Sequence, residues 1–556
     1  MLVPTRSGAV VLLIVAVIVL FLPAAGMRDW WYPDEPDVAL PAIEMQARGD
    51  WAVPTHNDTA WLDYPPLAYW GARVVGLVSG EITPFGTRVP MVLFACLMVF
   101  ATVRLGGRLL DQRSALVAGV ILIATPIFWF HAANLQVDLG YAAFQAAGLA
   151  LYVAGDARSG SPSVWYRIAA FACFGVAILG KGPLGVLLPG LILTCWHAWN
   201  REWRRLLELA PLSLAAIAVA LPWYVALCDK LGTDFVLNQL YLQNFDRFGQ
   251  SNRGHGDNGF FYYFGRIWPD LGLWSALILP TLWSGFRNRR NDRSWRLLVI
   301  WMLAPFIFFT LASTKRNVYL LPIYPAIALL VADWLMRAEL AWELAWSTWS
   351  ARILAGVLLF AGVLLAFAVA VWPLIPWPKK IPLPADTMAS LRWPGLVVSL
   401  WLLLMAGWSF RAALAKRFSA WFGLAATGAI GYSIAMWLVM PVIDTALTYR
   451  PAAAWLAERV PAGGTVGFYS PGREAPKRPS WLCHMGGGRR LKFFSTPQEA
   501  SAWLAADPER LLLTEPQKKD APTPEQVVKV IQWRISSDEW AVLAAAVAVK
   551  PNPSTN

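Results

Sequence analysis

The sequence predicts a polytopic α-helical membrane protein, about thirteen transmembrane helices followed by a small C-terminal α/β domain, and three observations carry the membrane part of that reading. Of 556 residues, 57% are hydrophobic and only 15% are charged, against about 25% charged in ordinary soluble domains. Apolar runs long enough to cross a bilayer as a helix, roughly 20 residues, recur about a dozen times along a chain whose mean hydropathy is +0.47. Tryptophan occurs 32 times, as expected where indole rings line both membrane interfaces. A water-soluble enzyme is excluded by composition alone.

The first apolar run, Gly8 to Met27, follows Arg6 and leads into Trp30-Trp31-Tyr32. It is longer than the apolar core of a signal peptide and is read as a retained span. Asp34 then stands where an N-cap belongs and Pro36 at an early helical position, so 34–47 reads as a short helix lying on the membrane surface. A second interfacial helix begins in the aromatic stretch 61–70. Further spans fall near 88–104, 114–131, 139–156, 168–180, 183–198, 207–226, 271–286, 297–313, 317–336, 353–373, 394–410 and 418–442. Continuous runs of this length do not alternate as the strands of a barrel must. After 442 charges and Pro/Gly turns return, so the domains read as 1–442, with outer loops at 28–87 and 227–270, and 443–556. In the latter, 451–459, 497–505 and 524–533 read as helices, 465–469 and 510–514 as strands, and 539–549 as either.

Charge fixes the orientation. With the N-terminus cytoplasmic, the short inner connections and Arg6 hold 19 of the 47 basic residues, whereas the two long outer segments hold seven. This is the positive-inside pattern, and it places 443–556 on the outer, periplasmic side of a bacterial inner membrane. The net charge of +12 therefore reports orientation, and nucleic acid is not a partner. Cys96, Cys173, Cys195, Cys228 and Cys483 form no CxxC pair, so no zinc site or disulfide framework is indicated.

On the outer side lie Asp34 and Glu35, Asp63 and Tyr64, Asp138, Lys181 in the turn Gly180-Lys181-Gly182-Pro183, Arg247, and Lys315 and Arg316 followed by Tyr319 and Tyr324. Singly, the acids read as caps balancing a helix dipole and the cations as snorkelling side chains. Together, ionisable groups gathered on one face of a membrane protein point to a site. Breaking the bond between a sugar and a lipid phosphate leaves negative charge on the phosphate. Lysine and arginine stabilise that charge, and a carboxylate across the sugar, Asp34 with Glu35 beside it, deprotonates an acceptor or stabilises the anomeric carbon. No cofactor is required, although a divalent metal fits the chemistry. A transporter or flippase of lipid-linked or small anionic substrates is the alternative. It would place ionisable groups near helix midpoints and show inverted repeats.

In order along the chain stand Asp34-Glu35, Gly49-Asp50-Trp51-Ala52-Val53-Pro54, Pro65 to Trp70, Asp138, Lys181-Gly182-Pro183, Arg247-Phe248, Ser313-Thr314-Lys315 and Leu321 to Ala326. In these motifs the chain resembles the GT-C membrane glycosyltransferases, especially the aminoarabinose transferase that modifies lipid A and protein-mannosyltransferase-like relatives. The resemblance implies transfer from a polyprenyl-phosphate-linked sugar, by inversion or retention, to lipid A or another envelope glycan or protein. It makes Asp34 the catalytic acid and Asp138 a second one. Lys181, Arg247 and Lys315 fall near the donor phosphate and Tyr324 near the donor head. A monomer surrounded by membrane lipids is the expected state. The chain departs from that branch at Pro36, Asp37, Tyr64 and Gln243-Asn244, which removes two cations and adds an acid.

Overall fold

The computed structural model describes residues 6–31, 34–156, 163–243, 259–337, 341–371, 385–417, 419–469, 479–514, 527–535 and 538–545. The chain forms two compact units. The first comprises Met1–Met27, Leu62–Ala370 and Gly395–Trp437, and the second Arg28–Trp61, Val371–Pro394 and Leu438–Asn556. The second unit therefore takes in the first part of the first outer segment, 28–61, as well as the C-terminal region.

Among the described residues of the first unit, every apolar run marked in the sequence is helical. Among the described residues nine helices, from Ser7–Gly26 to Ser419–Leu438, are long and apolar enough to cross a membrane. Asp138–Ala154, Leu184–Trp199 and Ser275–Arg289 are shorter, at 17, 16 and 15 residues. The run expected to be one span over 114–131 is two helices, Gln112–Ile123 and Pro126–Ala133, bent by 65°. Pro126 has no N–H to continue the helical ladder, which accounts for a break here. Thr83 caps Pro84–Leu109 by accepting from the Gly86 N–H at 3.0 Å, with Pro84 at the first helical position.

Close helix packing uses small residues, as expected where lipid supplies no hydrophobic drive. Asp138–Ala154 presents Ala142, Ala143, Ala146 and Gly148, all buried. A Cβ on Gly148 would lie 2.3 Å from Phe174 Cε1 on Val164–Lys181, so only glycine lets these helices approach. The arginines of the short connections also join helix ends. Arg293 holds Glu202 through two bonds of 2.9 Å, pairs with Asp156 and lies 3.9 Å over the Trp196 ring. Arg289 reaches both Asp292 and Asp333, and Arg337 donates to Asp333 at 2.8 Å. Planar guanidinium forks thus tie neighbouring helix ends together.

The second unit is built on a five-stranded sheet. Its strands are numbered after a small hairpin, β1 (Thr55–His56) and β2 (Thr59–Ala60); they are β3 (Thr465–Tyr469), β4 (Arg490–Phe494), β5 (Leu512–Thr514), β6 (Val527–Ile535) and β7 (Asp538–Ala545), in the order β4-β3-β5-β7-β6. β3 runs parallel to β4 and β5, and β7 antiparallel to β5 and β6. Tyr469, Phe494, Ala500, Leu504, Leu512 and Leu543 form its apolar core. The hairpin turns at Asn57 and Asp58, both with positive φ (55° and 61°), a backbone state asparagine and aspartate tolerate. The Asn57 amide then donates to the Leu491 carbonyl at 2.8 Å and accepts its N–H at 3.0 Å, capping the sheet edge at β4.

One expectation is corrected. The segment 524–533, read as a helix, is described from Val527 onward and is strand β6, paired with β7. Its Val527, Val528, Val530, Ile531, Trp533 and Ile535 are β-branched or aromatic types that fit a pleated surface. Helix Pro479–Met485 and strand β4 were not anticipated.

Candidate active site

The site begins with two helix ends in the first unit. Asp138 opens Asp138–Ala154, where the positive end of the helix dipole favours a carboxylate. Lys181 closes Val164–Lys181, where the negative end favours an ammonium. These helices lie side by side, so the opposite ends bring Asp138 and Lys181 into a direct ion pair whose side chains are 9% and 10% exposed. Gly182 has φ +68° and ψ −153°, a conformation that suits glycine and turns the chain sharply after Lys181. The Lys181 ammonium also lies 4.4 Å from the Tyr319 ring centre and 5.8 Å from that of Tyr141, within cation–π range.

Around this pair opens a cavity of about 430 Å³. One set of lining residues is polar: Asp63, Tyr64, Asp138, Lys181, Gln243, Arg316 and Tyr319. The rest is largely apolar, including Leu184, Leu187, Trp223, Leu227, Phe308 and Phe309. Asp63 accepts from the Gln243 amide at 2.8 Å, which ties the start of the unit to the long outer loop. The Arg316 carbonyl accepts the Tyr263 hydroxyl at 3.0 Å and the Tyr319 N–H at 3.1 Å. A cavity with an apolar wall and one charged end suits an amphiphile whose head is anionic.

Other expected residues fall elsewhere. Lys315 is buried and does not line this cavity; its ammonium donates to the Ala312 carbonyl at 2.6 Å. Tyr324 is buried below the lining, with its hydroxyl 3.2 Å from Asp270. Arg247 lies outside the described residues. Asp270 was missed by the sequence reading, although an acid at the outer start of an apolar run is the same signal that marked Asp138. Burial pushes its carboxyl above the usual range, opposed by Arg266 at 3.5 Å.

Asp34 and Glu35 belong to the second unit, at the start of helix Asp34–Arg48. Asp34 is half-buried. Glu35 is fully engaged: both its oxygens meet the Arg28 guanidinium, and one accepts the Trp31 N–H at 3.0 Å. Arg28 in turn stacks 4.5 Å over the Trp31 ring. Among the described residues no group of three or more His, Cys, Asp or Glu is gathered closely enough to hold a metal ion.

Comparison with known proteins then adds the following. Residues 63–226 match the family described as dolichyl-phosphate-mannose-protein mannosyltransferase. The chain is 27% identical over 335 residues to the undecaprenyl phosphate-alpha-4-amino-4-deoxy-L-arabinose arabinosyl transferase of Edwardsiella ictaluri, covering 60% of each chain. It is 28% identical over 412 residues to the first such enzyme of Sodalis glossinidius, covering 72% of this chain and 70% of that one. The matched region thus spans only 60% of the Edwardsiella relative's length. The crystal structure of ArnT from Cupriavidus metallidurans bound to undecaprenyl phosphate superposes with a TM-score of 0.76 at 20% identity, over 99% of this chain and 100% of that one. An Archaeoglobus fulgidus oligosaccharyltransferase tethered with an acceptor peptide follows, with a TM-score of 0.52 at 13% identity over 92% of this chain and 69% of that one. In fold the chain is therefore of the GT-C type, like ArnT, and in sequence it is similar to the undecaprenyl-phosphate aminoarabinose transferases.

Proposed function

We propose that this protein is a multi-pass inner-membrane glycosyltransferase that moves a sugar from a polyprenyl-phosphate donor to an envelope acceptor on the periplasmic side. The names of its relatives suggest an aminoarabinose-type sugar, and lipid A is the acceptor that the resemblance in its motifs implies. The observation that carries the reading is the largely apolar cavity whose lining includes the Lys181–Asp138 pair and Arg316. Its apolar wall is matched to a prenyl chain, and Lys181 and Arg316 are matched to the phosphate.

In the transfer, an acceptor oxygen bonds the anomeric carbon and passes its proton to Asp34, while the bond from that carbon to the phosphate oxygen breaks and its electron pair stays on the lipid phosphate. Lys181 exchanges Asp138 for that phosphate, and the aromatic faces of Tyr319 and Tyr141 hold the ammonium in line meanwhile. The leaving phosphate needs no general acid. Asp34 is the proposed catalytic carboxylate, with Asp138 in support, while Glu35 keeps the turn around Asp34 in shape through Arg28. Tyr64 and Asp63 border the donor head. Lys315 and Tyr324 support the wall, Tyr319 shapes the cavity, and Arg247 is assigned from sequence order alone. No step as drawn requires a metal. The basic short connections support an N-terminus in the cytoplasm and a sheet domain in the periplasm.

The test is transfer in proteoliposomes, with undecaprenyl-phosphate-linked aminoarabinose as donor and lipid A as acceptor. Sugar should appear on lipid A, and Asp34→Ala should abolish turnover with the fold retained. Parental turnover by Asp34→Ala would remove the assignment. A sugar moved to another envelope acceptor, with lipid A left unmodified, would replace lipid A and keep the reaction class.

A further inference from the structure

We infer that His484, Thr448 and Asp444 are positioning residues: the sheet unit grips the chain on both sides of Asp34 and thereby sets where that carboxylate points. The inference rests on the proposed transfer and on Asp34 as its carboxylate. It starts from Asp29, five positions before Asp34 and only 3% exposed. A buried carboxylate is costly unless well partnered, and this one has partners from two further elements. The Thr448 hydroxyl donates to it. His484 Nε2 stands 3.1 Å from its Oδ2 but off the line of a hydrogen bond. The Arg450 guanidinium lies 3.5 Å from its other oxygen.

The backbone is held as well. The N–H of Asp29 donates to Asp444 at 3.0 Å, and the Trp31 indole N–H donates to the same oxygen at 2.7 Å. The His484 ring also packs against the Trp30 ring with centres 5.2 Å apart. On the far side of Asp34, the Cys483 thiol lies 3.8 Å from the Pro36 carbonyl. Two consecutive residues of helix Pro479–Met485 thus touch the chain before and after Asp34. The Arg28–Glu35 pair closes the same turn internally.

A packing role alone would be met by apolar residues, whereas this cluster fixes directions through charge and hydrogen bonds. Orientation matters to the proposed reaction because a displacement of about 1 Å at a reacting group can cost about 10²-fold in rate. His484 and Asp444 are therefore not spare ionisable groups of a peripheral domain. They transmit the fold of the sheet unit to the Asp34 turn.

The experiment uses the full chain in nanodiscs, with undecaprenyl-phosphate-linked aminoarabinose and lipid A, and follows kcat, donor KM and thermal unfolding together. His484→Ala is expected to lower kcat about tenfold or more with donor KM within about twofold, since it disturbs orientation rather than donor binding. His484→Gln, which keeps a side-chain donor, should recover most of that loss. Thr448→Val removes one hydroxyl at nearly constant volume and should lower kcat by about threefold, which keeps the test available if His484→Ala unfolds. Parental kcat in folded His484→Ala and Thr448→Val, with Asp34→Ala inactive, would overturn the inference and leave the proposed function standing. Parental kcat in Asp34→Ala would overturn both.

Discussion

Two buried ion pairs, one in each unit, look alike on paper and differ in what surrounds them. Arg28 and Glu35 have side chains 1% and 4% exposed, and Glu35 also accepts a backbone N–H. Lys181 and Asp138 are 10% and 9% exposed and face a cavity of about 430 Å³. The first pair is saturated and closed. The second has a phosphate-sized neighbour space and an ammonium held by rings as well as by its acid. The difference teaches that a buried charge pair is catalytic material only where one member can change partners.

The largest effect expected from this contrast is on stability. Arg28→Ala should cost about 3–5 kcal/mol by leaving Glu35 charged and alone in the interior. The paired change Arg28→Met with Glu35→Gln should recover most of the unfolding temperature in detergent. Equal damage from single and double variants would mean that the pair is not the unit of stability.

At the cavity the order reverses. Lys181→Ala is expected to lower transfer about 10²–10³-fold, as for other groups that stabilise developing charge, with a smaller change in unfolding temperature than Arg28→Ala. The neutral pair Lys181→Met with Asp138→Asn should restore stability but not turnover. Recovery of turnover in that double variant would show the second pair to be structural like the first.

What the sequence disclosed follows the same division. Asp138 and Lys181 were visible because the expected topology puts both on one face, at helix ends where charge is rare. Their meeting was not, since it depends on the register of two helices set by contacts such as Gly148 on Phe174. Glu35 read as a catalyst beside Asp34 because spacing does not reveal that Arg28 occupies both its oxygens. The place of His484 beside this turn could not be read from the sequence, since its neighbours Asp29 and Trp30 are more than four hundred positions away. Over 524–533 the local signal pointed to the strand: Val527, Val528, Val530 and Ile531 are β-branched, and pairing with β7 completes what they favour.

Smaller effects test the scaffold of the second unit. Asn57→Ala removes both bonds to Leu491 and should cost about 1–2 kcal/mol. Hydrogen exchange at Leu491 should accelerate. Unchanged exchange there would mean that the hairpin rests on β4 without protecting it.

The smallest effect expected is a pH dependence that separates burial from pairing at Asp270. Burial raises its folded-state pKa, and Arg266, at 46% exposure, offsets this only partly. A carboxyl raised in the folded state adds stability below its unfolded pKa, about 4. That stability is lost as pH rises through the folded value, because the unfolded chain then releases the proton more readily. Asp270→Asn mimics the protonated form and keeps an oxygen for the Tyr324 hydroxyl. The parent should therefore lose unfolding temperature relative to Asp270→Asn as pH is raised from about 4 toward neutrality. A gap that moved the other way would mean that Arg266 outweighs burial, and Asp270 would then belong with Glu35 among the satisfied charges.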